Sequence, residues 1–113
     1  MPRITYVELP VAEVPEAKAF YEKAFGWVLT DFGPSYAATM TGDVDLGLQG
    51  DAAEAARAPL PVIDVSGLDA WPAKVEAAGG RIIRPIFAFP GGRRFHFADP
   101  AGNELAVVEA TRG

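Results

Sequence analysis

Residues 3–11 (Arg-Ile-Thr-Tyr-Val-Glu-Leu-Pro-Val) alternate in their core, and Ile4, Thr5, Tyr6, Val7 and Val11 favour extended backbone. The pattern predicts a strand, with Pro10 near its end because proline has no N–H to give a ladder. The period then changes. Val14, Ala17, Tyr21 and Ala24 recur at spacings of 3, 4 and 3, which predicts a helix over about 15–25. Pro15 and Glu16 suit its first turn, and Gly26 suits its stop. Three short strands are predicted next, at about 27–32, 35–41 and 44–49, divided by Gly33-Pro34 and Gly42-Asp43.

The second half repeats this order. Residues 60–65 read as a strand, and Leu68, Trp71, Val75 and Ala78 form a second helical stripe with the same spacings. Asp69 is the expected N-cap, and Gly79-Gly80 end the helix. Strands are predicted at about 81–88, 93–98 and 104–109. Placing Gly26 on Gly80, a shift of 54, superposes the opening strands and both stripes without a gap. Tyr6 then falls on Leu60, Glu8 on Val62 and Tyr21 on Val75. The chain therefore reads as one α+β domain over 1–113, built of two βαβββ modules. Module one spans about 1–50 and module two about 60–113, with an alanine-rich linker at about 51–59.

Composition narrows the chemistry. The chain has 113 residues and a net charge of −5, which argues against nucleic acid or an anionic membrane as the main partner. There is no cysteine, so disulfides, thiolate metal sites and a Cys nucleophile are excluded. His96 is the single histidine, which removes multi-His metal sites within one chain. The N-terminus has no apolar targeting segment, and no run approaches the roughly 18 apolar residues of a membrane span. A cytoplasmic protein is expected.

Three segments carry a family resemblance. YVELPVAEVPEAKAFYEKAFGW at 6–27, KVEAAGGRI at 74–82 and FHFADPAGNELAVVE at 95–109 resemble the vicinal oxygen chelate superfamily. That superfamily includes glyoxalase I, the bleomycin and fosfomycin resistance proteins and the extradiol dioxygenases. The last segment holds the tight turn Asp99-Pro100-x-Gly102-Asn103. The resemblance implies paired βαβββ modules whose sheets curve around a cavity, with helices outside, and a homodimer. Metal-dependent relatives hold a divalent ion with His and Glu side chains from equivalent strands of each module. By the resemblance those positions correspond to Tyr6, Leu60, Ala106 and a residue near Leu46 or Leu48. Leucine and alanine offer no donor, so no cofactor is expected, a divalent metal being the alternative.

Strand parity names what replaces the metal. If Tyr6 faces the cavity, so do Glu8 and Pro10. If Ala106 does, so do Glu104 and Val108. Phe95 and Phe97 are expected under the helix, which turns Arg94, His96 and Ala98 inward. Glu8 is either paired with an arginine or a carboxylate in apolar surroundings fit for proton transfer. His96 is either a hydrogen-bonded strand residue or a ligand-orienting or proton-shuttling group. Glu8 and His96 are the catalytic candidates. Tyr6, Tyr36, Leu60, Arg94, Glu104 and Ala106 are the ligand-binding candidates. Arg93 and Arg94 are either solvated or a clamp for a carboxylate or phosphate. Trp27, Phe32, Tyr36, Phe87 and Phe89 are either core or an aromatic wall.

The function expected is binding of a small molecule without the family metal. The alternative is a glyoxalase-like lyase, isomerase or dioxygenase-type enzyme acting on a small carbonyl or aromatic substrate. An accessory module without a ligand is a third reading.

Overall fold

The computed structural model describes residues 2–111. It divides into two compact units, residues 6–60 and residues 61–111 with 2–5. In the order of the chain, the first five elements are β1 (Arg3–Pro10), α1 (Val14–Phe25), β2 (Leu29–Asp31), β3 (Tyr36–Thr39) and β4 (Asp45–Gln49). Six more follow: β5 (Leu60–Asp64), a 3-10 turn (Leu68–Ala70), α2 (Trp71–Ala77), β6 (Arg81–Phe89), β7 (Gly92–Ala98) and β8 (Glu104–Ala110). The βαβββ order occurs twice, and the class is α+β.

In the first unit the strands lie in the order β2-β3-β4-β1. β1 runs parallel to β4, and the other pairs are antiparallel. α1 opens with proline in its first turn and closes on Gly26, whose φ of 71° few other residues adopt and whose N–H bonds Glu22 O. Its apolar stripe packs on one sheet face. Val14, Leu29, Ala37 and Leu48 are buried there, with Leu9, Val11, Ala17, Tyr21 and Leu46 against them. The strand expected at 27–32 shrinks to Leu29–Asp31, because Trp27 stacks on Tyr21 and Phe25 of α1 instead of joining the ladder.

The second unit follows the same plan, in the order β5-β8-β7-β6 with β5 parallel to β8. Val65, Leu68, Phe95 and Val107 form its buried core, with Trp71, Val75 and Phe97 packed on it. Phe95 is fully buried, and truncating such a side chain costs about 3–5 kcal/mol. The cap expected at Asp69 is not made: the N–H groups of Gly67 and Leu68 that open the 3-10 turn donate to the Glu109 carboxylate, and the Asp69 carboxylate takes two hydrogen bonds from Arg93. A charged guanidinium fork outcompetes a single backbone N–H for that carboxylate. At the closing turn Asp99 Oδ1 accepts from the N–H groups of Ala101 and Asn103, at 2.9 and 2.8 Å. Among the described residues, no helix is long and apolar enough to cross a membrane.

Candidate functional site

Burying Leu9, Leu46 and Leu48 under α1 turns their strand neighbours to the opposite sheet face. There β1 presents Tyr6 and Glu8, and β4 presents Asp45 and Gly47. Tyr6 lies beside Asp45 and Glu8 beside Gly47. Glu8 is 3% exposed. Tyr36, on β3, donates its hydroxyl to Glu8 Oε2 at 2.9 Å, and its oxygen lies 2.5 Å from the hydroxyl of Tyr6. The Tyr36 proton is committed to Glu8, so Tyr36 accepts from Tyr6. Burial, then the charge of Glu8 and then Tyr6, hold the Tyr36 phenol protonated far above its usual range. This unit thus joins three of the expected residues, Tyr6, Glu8 and Tyr36, in one hydrogen-bonded chain.

Gly47 completes that group. A Cβ at this position would meet the hydroxyls of both Tyr6 and Tyr36, and would lie 2.7 Å from Tyr6 Cζ. The space a side chain would fill is taken by the two phenols. Gly47 is also the first-module counterpart of Ala106, expected near Leu46 or Leu48. Val62 lies beside Ala106 in the second unit, and the shift of 54 maps Val62 onto Glu8, which lies beside Gly47. The leucines face α1 because the burial of an apolar side chain sets the register. Gly47 carried one signal in the sequence: a glycine inside a strand marks a close approach.

In the second unit, Phe95, Phe97 and Val107 point toward α2, which leaves Arg94, His96 and Ala106 on the other face. His96 is 3% exposed, and its Nδ1 is 2.7 Å from Glu104 Oε2. Burial pushes the imidazole pKa down. The hydrogen bond to Glu104 raises it, the charges of Arg94 and Arg84 oppose that rise, and the net shift is downward. The neutral ring therefore gives its Nδ1 proton to the carboxylate, which can only accept. Nε2 keeps a bare lone pair, and it is buried with no hydrogen-bond partner. The Phe87 ring stands 5.7 Å from the imidazole. The Arg84 guanidinium lies over that ring at 3.6 Å, and the Arg94 guanidinium lies 5.4 Å from Phe87 and 5.2 Å from Phe89.

The second group joins Arg94, His96, Glu104 and Ala106 of the expected residues. Leu60 is the buried first residue of β5. Arg84 was not foreseen. β6 departs from regular register between Ile82 and Arg84 and again between Arg84 and Phe87, so alternation along the sequence does not say where its side chains point. Arg93 makes its clamp within the chain, on Asp69 at 3.1 and 3.0 Å, with Glu109 at 3.9 Å. Of the expected aromatic wall, Tyr36, Phe87 and Phe89 belong to the two groups. Trp27 stacks on α1, and Phe32 is exposed.

The family's metal positions do not fit a metal. Tyr6 supplies one phenol, already bonded to Tyr36, while Leu60, Ala106 and Gly47 have no donor atom. Among the described residues, no three His, Asp or Glu side chains come together as a metal site requires.

The sequence pattern of the Glyoxalase/Bleomycin resistance protein/Dioxygenase superfamily matches residues 3–107. No curated protein matches the chain. Many solved structures match the chain, among them two that are similar over nearly all of it. The NAD-dependent benzaldehyde dehydrogenase from Legionella pneumophila is 19% identical, covers 94% of this chain and 98% of its own, and superposes with a TM-score of 0.77. Methylmalonyl-CoA epimerase from Mycobacterium tuberculosis is also 19% identical, with 96% and 88% covered and a TM-score of 0.75. These likenesses show the fold. The Mn(II)-bound glyoxalase from Novosphingobium aromaticivorans is 27% identical, with a TM-score of 0.65; all of this chain matches 43% of that one, less than half its length.

Proposed function

Because the chain belongs to the glyoxalase/bleomycin resistance protein/dioxygenase superfamily, we propose that it binds a small organic molecule without the divalent metal of the family's metal-dependent members. The observation that carries this reading is the residue set at the family's ligand positions. Leucine, alanine and glycine stand at three of the four, and the fourth holds a tyrosine whose hydroxyl is bonded to Tyr36. On the sheet faces turned from the helices, buried polar groups stand among apolar ones: Glu8 in one unit, Arg94 and His96 in the other. A few fixed polar groups in apolar surroundings are what orients a small ligand. Elemental analysis of untagged protein exposed to Mn, Ni, Zn and Fe tests the reading. Substoichiometric metal is expected, together with a thermal shift by small carbonyl or aromatic compounds. Tight stoichiometric metal would sink it. A cytoplasmic homodimer, with neither nucleic acid nor membrane as partner, belongs to the same proposal.

A second reading, a lyase, isomerase or dioxygenase-type enzyme acting on a small carbonyl or aromatic substrate, is favoured by one observation. His96 donates Nδ1–H to Glu104 and keeps Nε2 as a buried lone pair. That is the arrangement of a general base: the carboxylate fixes the tautomer and supports the imidazolium that forms. The chemistry asked of this chain is then proton transfer at Nε2, with no step at a metal.

A further inference from the structure

The homodimer proposed above needs a face on which two copies meet. Resting on that reading, we propose that the face is the aromatic surface of the first unit, built by α1 and the edge strand β2. Phe20 and Phe25 of α1, Trp27 and Val28 leading into β2, and Met40 just after β3 are between 43% and 78% exposed. They are contiguous. Phe20 meets Tyr21 edge-on at 5.0 Å, while Tyr21, Phe25 and Trp27 stack on one another at 5.1–6.2 Å. Val28 and Met40 follow on from the β2–β3 ladder, one step past the pair Leu29 and Thr39.

The fold does not require these side chains. The shift of 54 that superposes the two modules places Phe20 on Lys74, Phe25 on Gly79 and Trp27 on Arg81. Those three positions of the second unit are also exposed, and there the same corner is built with charged or small residues. Aromatic rings at the matching places of one module alone reward burial against a partner. At these exposures the five side chains present roughly 500–600 Å², the upper end of the largest apolar patch on a typical monomer. Two such faces together supply about 1,000–1,200 Å², which meets the roughly 1,000 Å² a specific interface needs. The stacked rings already hold one another in place, so little freedom is lost when they are covered.

Charge selects a second copy as the occupant. α1 carries Glu16 and Glu22 against Lys18 and Lys23, and Lys18 pairs with Asp31 of β2 at 3.0 Å. The rim is close to neutral although the chain carries −5. Two copies therefore meet here without like-charge repulsion, and a strongly acidic or basic partner finds no field to match. β2 is also the last strand of its ladder, and an open edge beside an apolar surface is one that proteins cover. A two-fold axis lays the patch of each copy on that of the other and closes the assembly at two.

Sedimentation of the full, untagged chain over a concentration series tests this, with Phe20→Glu, Val28→Glu and, on an exposed apolar residue of the second unit, Ile83→Glu as the control. Circular dichroism checks that each variant is folded. Wild type and I83E should sediment as dimers at about 10 μM, the weak end of what specific interfaces reach. F20E and V28E should each raise the dissociation constant at least about tenfold, because each buries a carboxylate in an apolar contact. In wild type, hydrogen exchange over residues 26–32 should slow as concentration rises, a readout that needs no variant. A dimer that survives both F20E and V28E, one that only I83E breaks, or one whose formation leaves exchange over 26–32 unchanged overturns this face and leaves the homodimer standing. A wild type that stays monomeric overturns both. Metal content and ligand-induced thermal shifts are read separately, so the small-molecule reading stands or falls on its own.

Discussion

Replacing Gly47 by alanine reverses an ordinary expectation. Inside a strand, Gly→Ala removes backbone freedom from the unfolded chain and gains about 0.5–1 kcal/mol. Gly47 has an ordinary strand backbone, so conformation alone would favour the change. The structure predicts the opposite because the new methyl would meet both the Tyr6 and Tyr36 hydroxyls and lie 2.7 Å from Tyr6 Cζ. Overpacking of this kind costs about 1–3 kcal/mol. The hydroxyls cannot move away freely, because Tyr36 donates to the buried Glu8 and accepts from Tyr6. Breaking a hydrogen bond to a charged group costs about 1.5–3 kcal/mol more. With the strand gain subtracted, Gly47→Ala should destabilise by about 1.5–5.5 kcal/mol. For a chain of this size that lowers Tm by on the order of 10–30 °C. Urea titrations of wild type, G47A, Y6F/Y36F and the triple variant measure the coupling directly. With the hydroxyls absent, part of the cost of G47A should vanish, a coupling of about 1–3 kcal/mol, while the ring carbon that remains at position 6, 2.7 Å from the methyl, keeps the rest. A G47A protein within about 0.5 kcal/mol of wild type, or strictly additive effects, would refute the tyrosine-filled space.

Two further expectations concern His96. Its native pKa lies below its unfolded value of about 6.5, so on acidification the unfolded chain takes up the proton first. The contribution of His96 to stability is therefore complete above about pH 6.5 and is lost as pH falls through that value toward the native one; denaturation curves across this window should lose that slope in His96→Gln, and a wild type more stable on acidification through His96 would contradict it. If the protein turns over a carbonyl or aromatic substrate, His96→Ala should lower kcat by about 10²–10⁴-fold, the worth of a general base. Full turnover in both His96→Ala and Glu8→Gln would make these residues scaffolding.

Much of this site was legible before any coordinates. Strand parity places Tyr6 and Glu8 opposite the α1 core, and Arg94 and His96 opposite the α2 core, because a half-buried strand has only two faces. Parity failed where the ladder is not regular. Arg84 reaches the Phe87 ring through two register irregularities in β6, and no alternation along 81–89 announces them. It also failed where two phases fitted equally. Leu46, Gly47 and Leu48 alternate in either reading, and only the pairing of Glu8 with Gly47 selects the phase. The cap at Asp69 was a local expectation overridden by a distant charge, Arg93, 24 residues along the chain.

The sequence by itself determined the two βαβββ modules, their shift of 54 and the missing donors at Leu60 and Ala106. Each of these is carried by periodicity, by turn residues or by the chemistry of a single side chain, so it needs no partner to be read. Tertiary structure alone decided that Tyr6 and Tyr36 fill the space over Gly47. It also decided that Glu104 takes one nitrogen of His96 and leaves the other bare. Those facts are hydrogen bonds and close approaches between the side chains of different strands. They exist only once the register of each ladder is set by the burial of the opposite face.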